Sequence, residues 1–444
     1  MNYTQRLAQY ASNLKYEDVP TELIGKMKVL LQDYISVAFG GMQTESGKIA
    51  AEFAKDFNEK GKCTVIGWGY KSAPYNAALA NAIMAHSIEL DDVDVNALFH
   101  YGVVIVPAAL AAAEWVDTSG KEFLISLVVG CDVITRISEA TNPSLRNRGY
   151  HTTPTCGVFG AGAASGRAMK LNEDEMVSVL GLSGAQASGL MEMYGPSMAK
   201  RFNPGPAVRN GITAALFAKR GFTGAETILE GERGFCRAFS DEYDLERLTA
   251  GLGEDFRIFI EYKPYACARP IHNAIDCALE IRNKYSPDLE EISSILVKRH
   301  PDWAHYHSIN EPRTYHEAQM SLPYSVAVAL VEGRAFYDQY SEENLKRLEI
   351  MRLCRMVEIE PDATLLRGVS CQMIICMKDG RKLEALVDYP KGSPQNPMTE
   401  EERYTKFESL SSKALNDSQR QNIIEKISNM EEIEDIKAFT SLLS

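Results

Sequence analysis

Two stretches of very small residues, Ala108-Ala-Leu-Ala-Ala-Ala113 and Gly160-Ala-Gly-Ala-Ala-Ser-Gly166, most limit what this chain can fold into. Side chains this small let helix backbones approach closely, whereas in a strand they would offer little to pack. They lie in a series of segments with apolar residues at helical spacing. In Thr21 to Phe39 these are Leu23, Ile24, Met27, Val29, Leu30, Leu31, Tyr34, Ile35 and Val37, with Pro20 before and Gly40-Gly41 after. Proline suits a first helical turn and glycine a stop. Further helices are expected at about 45–60, 74–90, 103–117, 120–141, 153–170, 173–190, 206–220 and 241–251. The expectation is a densely packed all-α region.

The period changes after Lys263. Ile292–Arg299 reads as a strand. Ser370–Met377 and Lys382–Asp388 flank Lys378-Asp-Gly-Arg381, and Asp-Gly between two alternating runs is a strong hairpin signal. Helices at about 271–285, 317–331 and 342–351 complete an α+β unit, and helical pattern returns from Thr399. With 444 residues, two domains are the natural expectation. The expected fold is mainly α: a large all-α helical domain of residues 1–262 with 396–444, and a smaller inserted α+β domain of residues 263–395.

Composition narrows the function classes. A net charge of −13 speaks against nucleic acid, which needs a basic face. It also means that an acidic ligand would need a local positive pocket. The longest apolar run, Val103 to Ala113, contains Pro107 and falls short of the roughly 18 residues of a membrane span, so a buried helix is expected. The segment Met1–Ala8 shows no basic stretch followed by an apolar one, and the nine cysteines are scattered with no CxxC. Both lead to the expectation of a cytoplasmic protein with reduced thiols.

Several chemistries compete. Gly160-Ala-Gly162-Ala-Ala-Ser-Gly166 misses the dinucleotide spacing by one residue, and no strand-like run precedes it, so helix packing is the preferred reading. No phosphate loop is present. Asp302, His305 and His307, and the group Asp91, Asp92 and Asp94, match no recognised metal spacing. No metal or other cofactor is therefore expected. There is no GxSxG, and Cys156 is poorly spaced from His151 for a Cys/His pair, so packing is preferred for Cys156.

Proton transfer beside a carboxylate remains. Such a reaction puts negative charge on carboxylate oxygens, which Lys or Arg stabilises, while an imidazole handles the proton at working pH. The chain offers suitable groups in Gly/Pro loops or at helix ends. They lie in His86-Ser-Ile-Glu89-Leu-Asp91-Asp92 with His100, in Arg148–Gly157 around His151, in Ser197–Gly205 around Lys200-Arg201, and in Lys263-Pro-Tyr-Ala-Cys-Ala-Arg269-Pro-Ile-His272. Arg201, Arg209, Lys263 and Arg269 are candidate carboxylate clamps.

Together with Glu317-Ala-Gln-Met-Ser321-Leu-Pro-Tyr324 and Pro390–Pro397, these segments resemble the MmgE/PrpD family over nearly the full length. The resemblance implies His151, Lys200, His100, His272 and Glu89 as catalytic residues. It implies Asp91, Arg201, Lys263, Arg269 and Tyr324 as substrate contacts, a small di- or tricarboxylate as substrate, no metal, and a homodimer. The chain departs from the family pattern at three places. Val93 stands where many members have Thr, Tyr101 where Pro is frequent, and Asn203 where His often follows the lysine. The leading expectation is dehydration of the 2-methylcitrate type. Epimerisation of the iminodisuccinate type comes next, then decarboxylation of the cis-aconitate type, which Glu89 and Val93 disfavour. An inactive carboxylate-binding relative is the non-enzyme alternative.

Overall fold

In the computed structural model, the helix Thr152–Ala168 is the axis about which the small-residue stretches act. Every residue in it except Arg167 is buried. It packs against Gly102–Val116, Gly120–Thr141, Glu173–Gly184 and Pro204–Ala218. A Cβ on Gly160 would lie 2.9 Å from the Gly130 carbonyl oxygen, and one on Gly211 would lie 2.6 Å from the Gly162 nitrogen. Larger side chains there would push the helices apart. Gly160 and Gly162 are thus interior helix positions, as the packing reading requires.

The structure describes residues 1–58, 61–193, 197–367 and 370–444. They fall into two compact units, Met1–Ile260 with Arg403–Ser444, and Glu261–Glu402. The fold is mainly α. Among the described residues, the first unit is helical apart from a two-stranded ribbon, Cys63–Thr64 with Lys71–Ser72. The tail joins it through Lys406, whose Nζ donates to Asp33 Oδ1 at 2.6 Å and to the Leu90 carbonyl at 2.7 Å. Gly102–Val116 is buried along most of its length with Pro107 inside, and no helix among the described residues is long and apolar enough to cross a membrane.

The second unit carries a four-stranded sheet in which Ile292–Arg299 pairs parallel with Val357–Pro361 and antiparallel with Cys371–Met377, which in turn pairs with Lys382–Val387. The Asp379-Gly380 hairpin forms where expected. The strand Val357–Pro361 was not expected.

Six expected helices differ in extent, and those at 74–90 and 173–190 end early at Ala85 and Gly184. Segment 241–251 holds only a 3₁₀ turn, Leu245–Leu248. Gly251 and Gly253 take positive φ, and Arg136 claims the carbonyls of Ala250 and Asp255 at 2.6 and 2.7 Å, replacing helical bonds. The helix expected at 317–331 is two, because Ser321 Oγ caps the second at Tyr324 N. The helix expected at 342–351 is Leu348–Met356, shifted toward the strand it feeds. The helix expected at 45–60 spans Glu45–Asp56, and Glu59 and Lys60 lie outside the described residues.

Candidate active site

The helix Pro74–Ala85 ends at His86, and the chain turns through Glu89, which takes the left-handed conformation at φ 57°. The three aspartates that follow have separate tasks. Asp91 Oδ2 accepts from His86 Nδ1 at 2.8 Å and faces His100 Nδ1 at 3.0 Å. Asp92 accepts from the backbone amides of Tyr101 and Gly102, both at 2.8 Å, and so caps the helix that follows. A Cβ on Gly102 would lie 2.6 Å from Asp92 Oδ1, so this cap needs glycine. Asp94 accepts from the amides of Asn96 and Ala97 and from the Tyr101 hydroxyl. Burial and the charges of Asp91 and Asp33 push the Asp92 carboxyl up to about 8, against the pull of its two amides. Burial raises Asp94 to about 6.

This loop orients two imidazoles. His100 Nδ1 also meets the Asp92 carbonyl oxygen at 2.5 Å. Both neighbours of that nitrogen are acceptors, so it carries the proton, and Nε2 holds the lone pair when the ring is neutral. His86 has its Nδ1–H on the same carboxylate oxygen. Its Nε2 is buried without a hydrogen-bond partner among the described residues. Burial holds His86 down at about 4, against the pull of Asp91.

His151 has the opposite tautomer. It precedes the helix Thr152–Ala168, and its Nδ1 accepts from the Asn203 amide at 3.0 Å, which leaves the proton on Nε2. Burial holds its pKa well below the ordinary value, helped by the charges of His86, His100 and Lys200. The backbone amide of His100 reaches Thr153 Oγ1 at 3.3 Å, which ties the two histidine segments together. Lys200 and Arg201 come from the short helix Ala199–Phe202 and are buried. Lys200 Nζ and Arg201 Nη1 both donate to Glu89 Oε1, the arginine at 2.7 Å.

Glu89, Asp91, His100, His151, Lys200 and Arg201 therefore lie in one neighbourhood of the first unit. Arg209 lies apart from it, lining a surface groove with Tyr75 and Phe217.

Lys263, Arg269, His272 and Tyr324 belong to the second unit, and all four are buried. Arg269 Nε donates to Glu261 Oε2 at 2.6 Å and Nη1 to the Lys391 carbonyl at 2.8 Å, while Nη2 is buried without a hydrogen-bond partner among the described residues. The same Nη1 lies 3.0 Å from His272 Nδ1, and His272 Nε2 faces the Cys267 carbonyl at 3.3 Å. Both ring nitrogens are thus engaged inside this unit. The Tyr324 hydroxyl donates to the Gln339 carbonyl at 2.8 Å. Cys156 is fully buried and its thiol is pushed well up by burial, as a packing residue would be.

The donor types of His86, Asp91 and His100, with ligand atoms within 4.8 Å, would suit a divalent metal. However, the Asp92 carbonyl needs the proton on His100 Nδ1 that a metal there would displace. The group fits a hydrogen-bonded cluster better.

Two contributors were not assigned from the sequence. His86 orients Asp91, and Asn203 sets the tautomer of His151. The signals were present: a histidine five residues before Asp91, and an amide three residues after Lys200.

A helical unit of this layout, with a second unit built on a four-stranded sheet, defines the class. The chain belongs to the MmgE/PrpD family, whose N-terminal and C-terminal domain patterns match residues 5–248 and 265–432. It is similar to the cis-aconitate decarboxylase of Aspergillus terreus, 29% identical over 470 residues, covering 99% of this chain and 96% of the relative. The cis-aconitate decarboxylase-like protein oryM of Aspergillus oryzae is also 29% identical, covering 100% and 97%. The human cis-aconitate decarboxylase is 25% identical, covering 99% and 94%.

Proposed function

We propose that this protein is a lyase that moves a proton at a carbon beside a carboxylate of a small di- or tricarboxylic acid. One observation carries the reading: two imidazoles of opposite tautomer lie near a buried Lys/Arg pair. His100 Nε2 serves as base and His151 Nε2–H as proton donor, while Lys200 and Arg201 hold the carboxylate that takes up negative charge.

Decarboxylation is the leading version, supported by the relatives' names. The C–CO₂ bond breaks, its electron pair stays on carbon, the retained carboxylate shares the charge, and His151 supplies the proton. Dehydration, the first expectation from sequence, is the second version. His100 takes the C–H proton and the hydroxyl leaves as water with a proton from His151. The same groups serve both. Within the second unit, the buried Arg269 Nη2 keeps Arg269 a candidate carboxylate contact.

The test is incubation of the purified protein with a panel of di- and tricarboxylates that includes cis-aconitate and 2-methylcitrate, following released CO₂ and new alkene signals by NMR. CO₂ supports the leading version, and alkene without CO₂ the second. A panel left entirely unconsumed contradicts both.

A further inference from the structure

We infer that Glu89 sets substrate choice by occupying one carboxylate seat on the Lys200–Arg201 pair, so that the chain favours a dicarboxylate over a tricarboxylate. This rests on the reading above and deepens it.

Lys200 and Arg201 bring two positive charges into a buried place, and Glu89 returns one negative charge to both of them. Among these three groups, a substrate carboxylate meets a net of one positive charge, not two. It also meets the Glu89 carboxylate itself, and like charges brought together in a water-poor site repel strongly.

Glu89 is not a side chain that swings away easily. It is 1% exposed, and its neighbours Ile88 and Leu90 are fully buried. Lys406 holds the Leu90 carbonyl from behind, and the backbone at Glu89 is fixed in the left-handed region. Rotating the carboxylate off the two cations would break two buried ion pairs at once. Length matters as well. Glutamate reaches Arg201 at 2.7 Å from this turn, and an aspartate on the same backbone would fall short by about one carbon–carbon bond.

The test uses two saturated acids with neither a leaving hydroxyl nor a double bond, so neither can be dehydrated or decarboxylated. Glutarate and tricarballylate share a propane backbone with carboxylates at both ends and differ by the central carboxylate. Dissociation constants are measured by calorimetry on the full-length protein and on Glu89→Gln, with circular dichroism to confirm folding. Wild type should bind glutarate at least as tightly as tricarballylate. Glu89→Gln should tighten tricarballylate by about tenfold while glutarate changes by less than about threefold.

If Glu89→Gln does not fold, the wild-type preference alone decides. Wild type binding tricarballylate tenfold more tightly than glutarate would overturn the inference, as would equal weakening of both acids in the variant. Those outcomes leave the proposed lyase standing. Binding of neither acid by wild type would bring down both.

Discussion

At Lys200 a single charge serves both binding and chemistry. Lys200→Ala should lower turnover by about 10²-fold and weaken substrate binding too, because the same ammonium meets the ground-state carboxylate. His151→Ala should mainly lower turnover, by about 10²–10⁴-fold. Steady-state kinetics separate the two, and full activity in both variants would refute the assignment. His86 makes a prediction about stability. Its folded pKa, about 4, lies below the ordinary 6.5, so the unfolded chain takes up a proton first as pH falls. The stability it confers is complete above about 6.5 and is lost between there and about 4. Urea unfolding at pH 7 and pH 5 should show a larger loss for wild type than for His86→Gln; an equal loss would refute this. Glu89, Asp91, His100, His151, Lys200 and Arg201 were legible from their residue types and the motifs that hold them, but His86 was not assigned. The tautomers were not, since they depend on Asp92 and Asn203 atoms brought close only by folding.

At the scale of elements, the small-residue helices were readable from spacing alone, and so was the hairpin around Asp379-Gly380. What escaped depended on distant partners. Segment 241–251 has helical spacing, yet Arg136, more than 110 residues earlier, takes its carbonyls. Lys406 braces the Glu89 turn across a separation of 316 residues to Leu90. The strand Val357–Pro361 is too short to stand out until Ile292–Arg299 pairs with it. Packing gives a direct check. Gly211→Ala places a methyl 2.6 Å from the Gly162 nitrogen and should cost about 1–3 kcal/mol. Gly25→Ala, also within a helix but with nothing within 4 Å, should instead stabilise by about 1 kcal/mol. Urea denaturation that ranks them the other way would contradict the close helix contact.

For the whole molecule, the homodimer remains a proposal, and surface chemistry supports it. Ile49, Phe53 and Phe57 are exposed at i, i+4 and i+8 along and just past the helix Glu45–Asp56, and Phe217 and Phe222 are exposed as well. A second copy would cover such groups. Light scattering should give twice the 49.3 kDa chain mass at micromolar concentration, and Phe53→Asp with Phe57→Asp should shift it toward monomer. A monomeric wild type would remove the proposal. The account's central claim, however, is proton transfer at carbon by His100 and His151. It is tested most directly by NMR of substrate turned over in D₂O. Wild type should place solvent deuterium on the carbon beside the retained carboxylate, in product or recovered substrate, and His100→Gln with His151→Gln should abolish that incorporation. Decarboxylated product formed without deuterium, or full incorporation by the double variant, would contradict it.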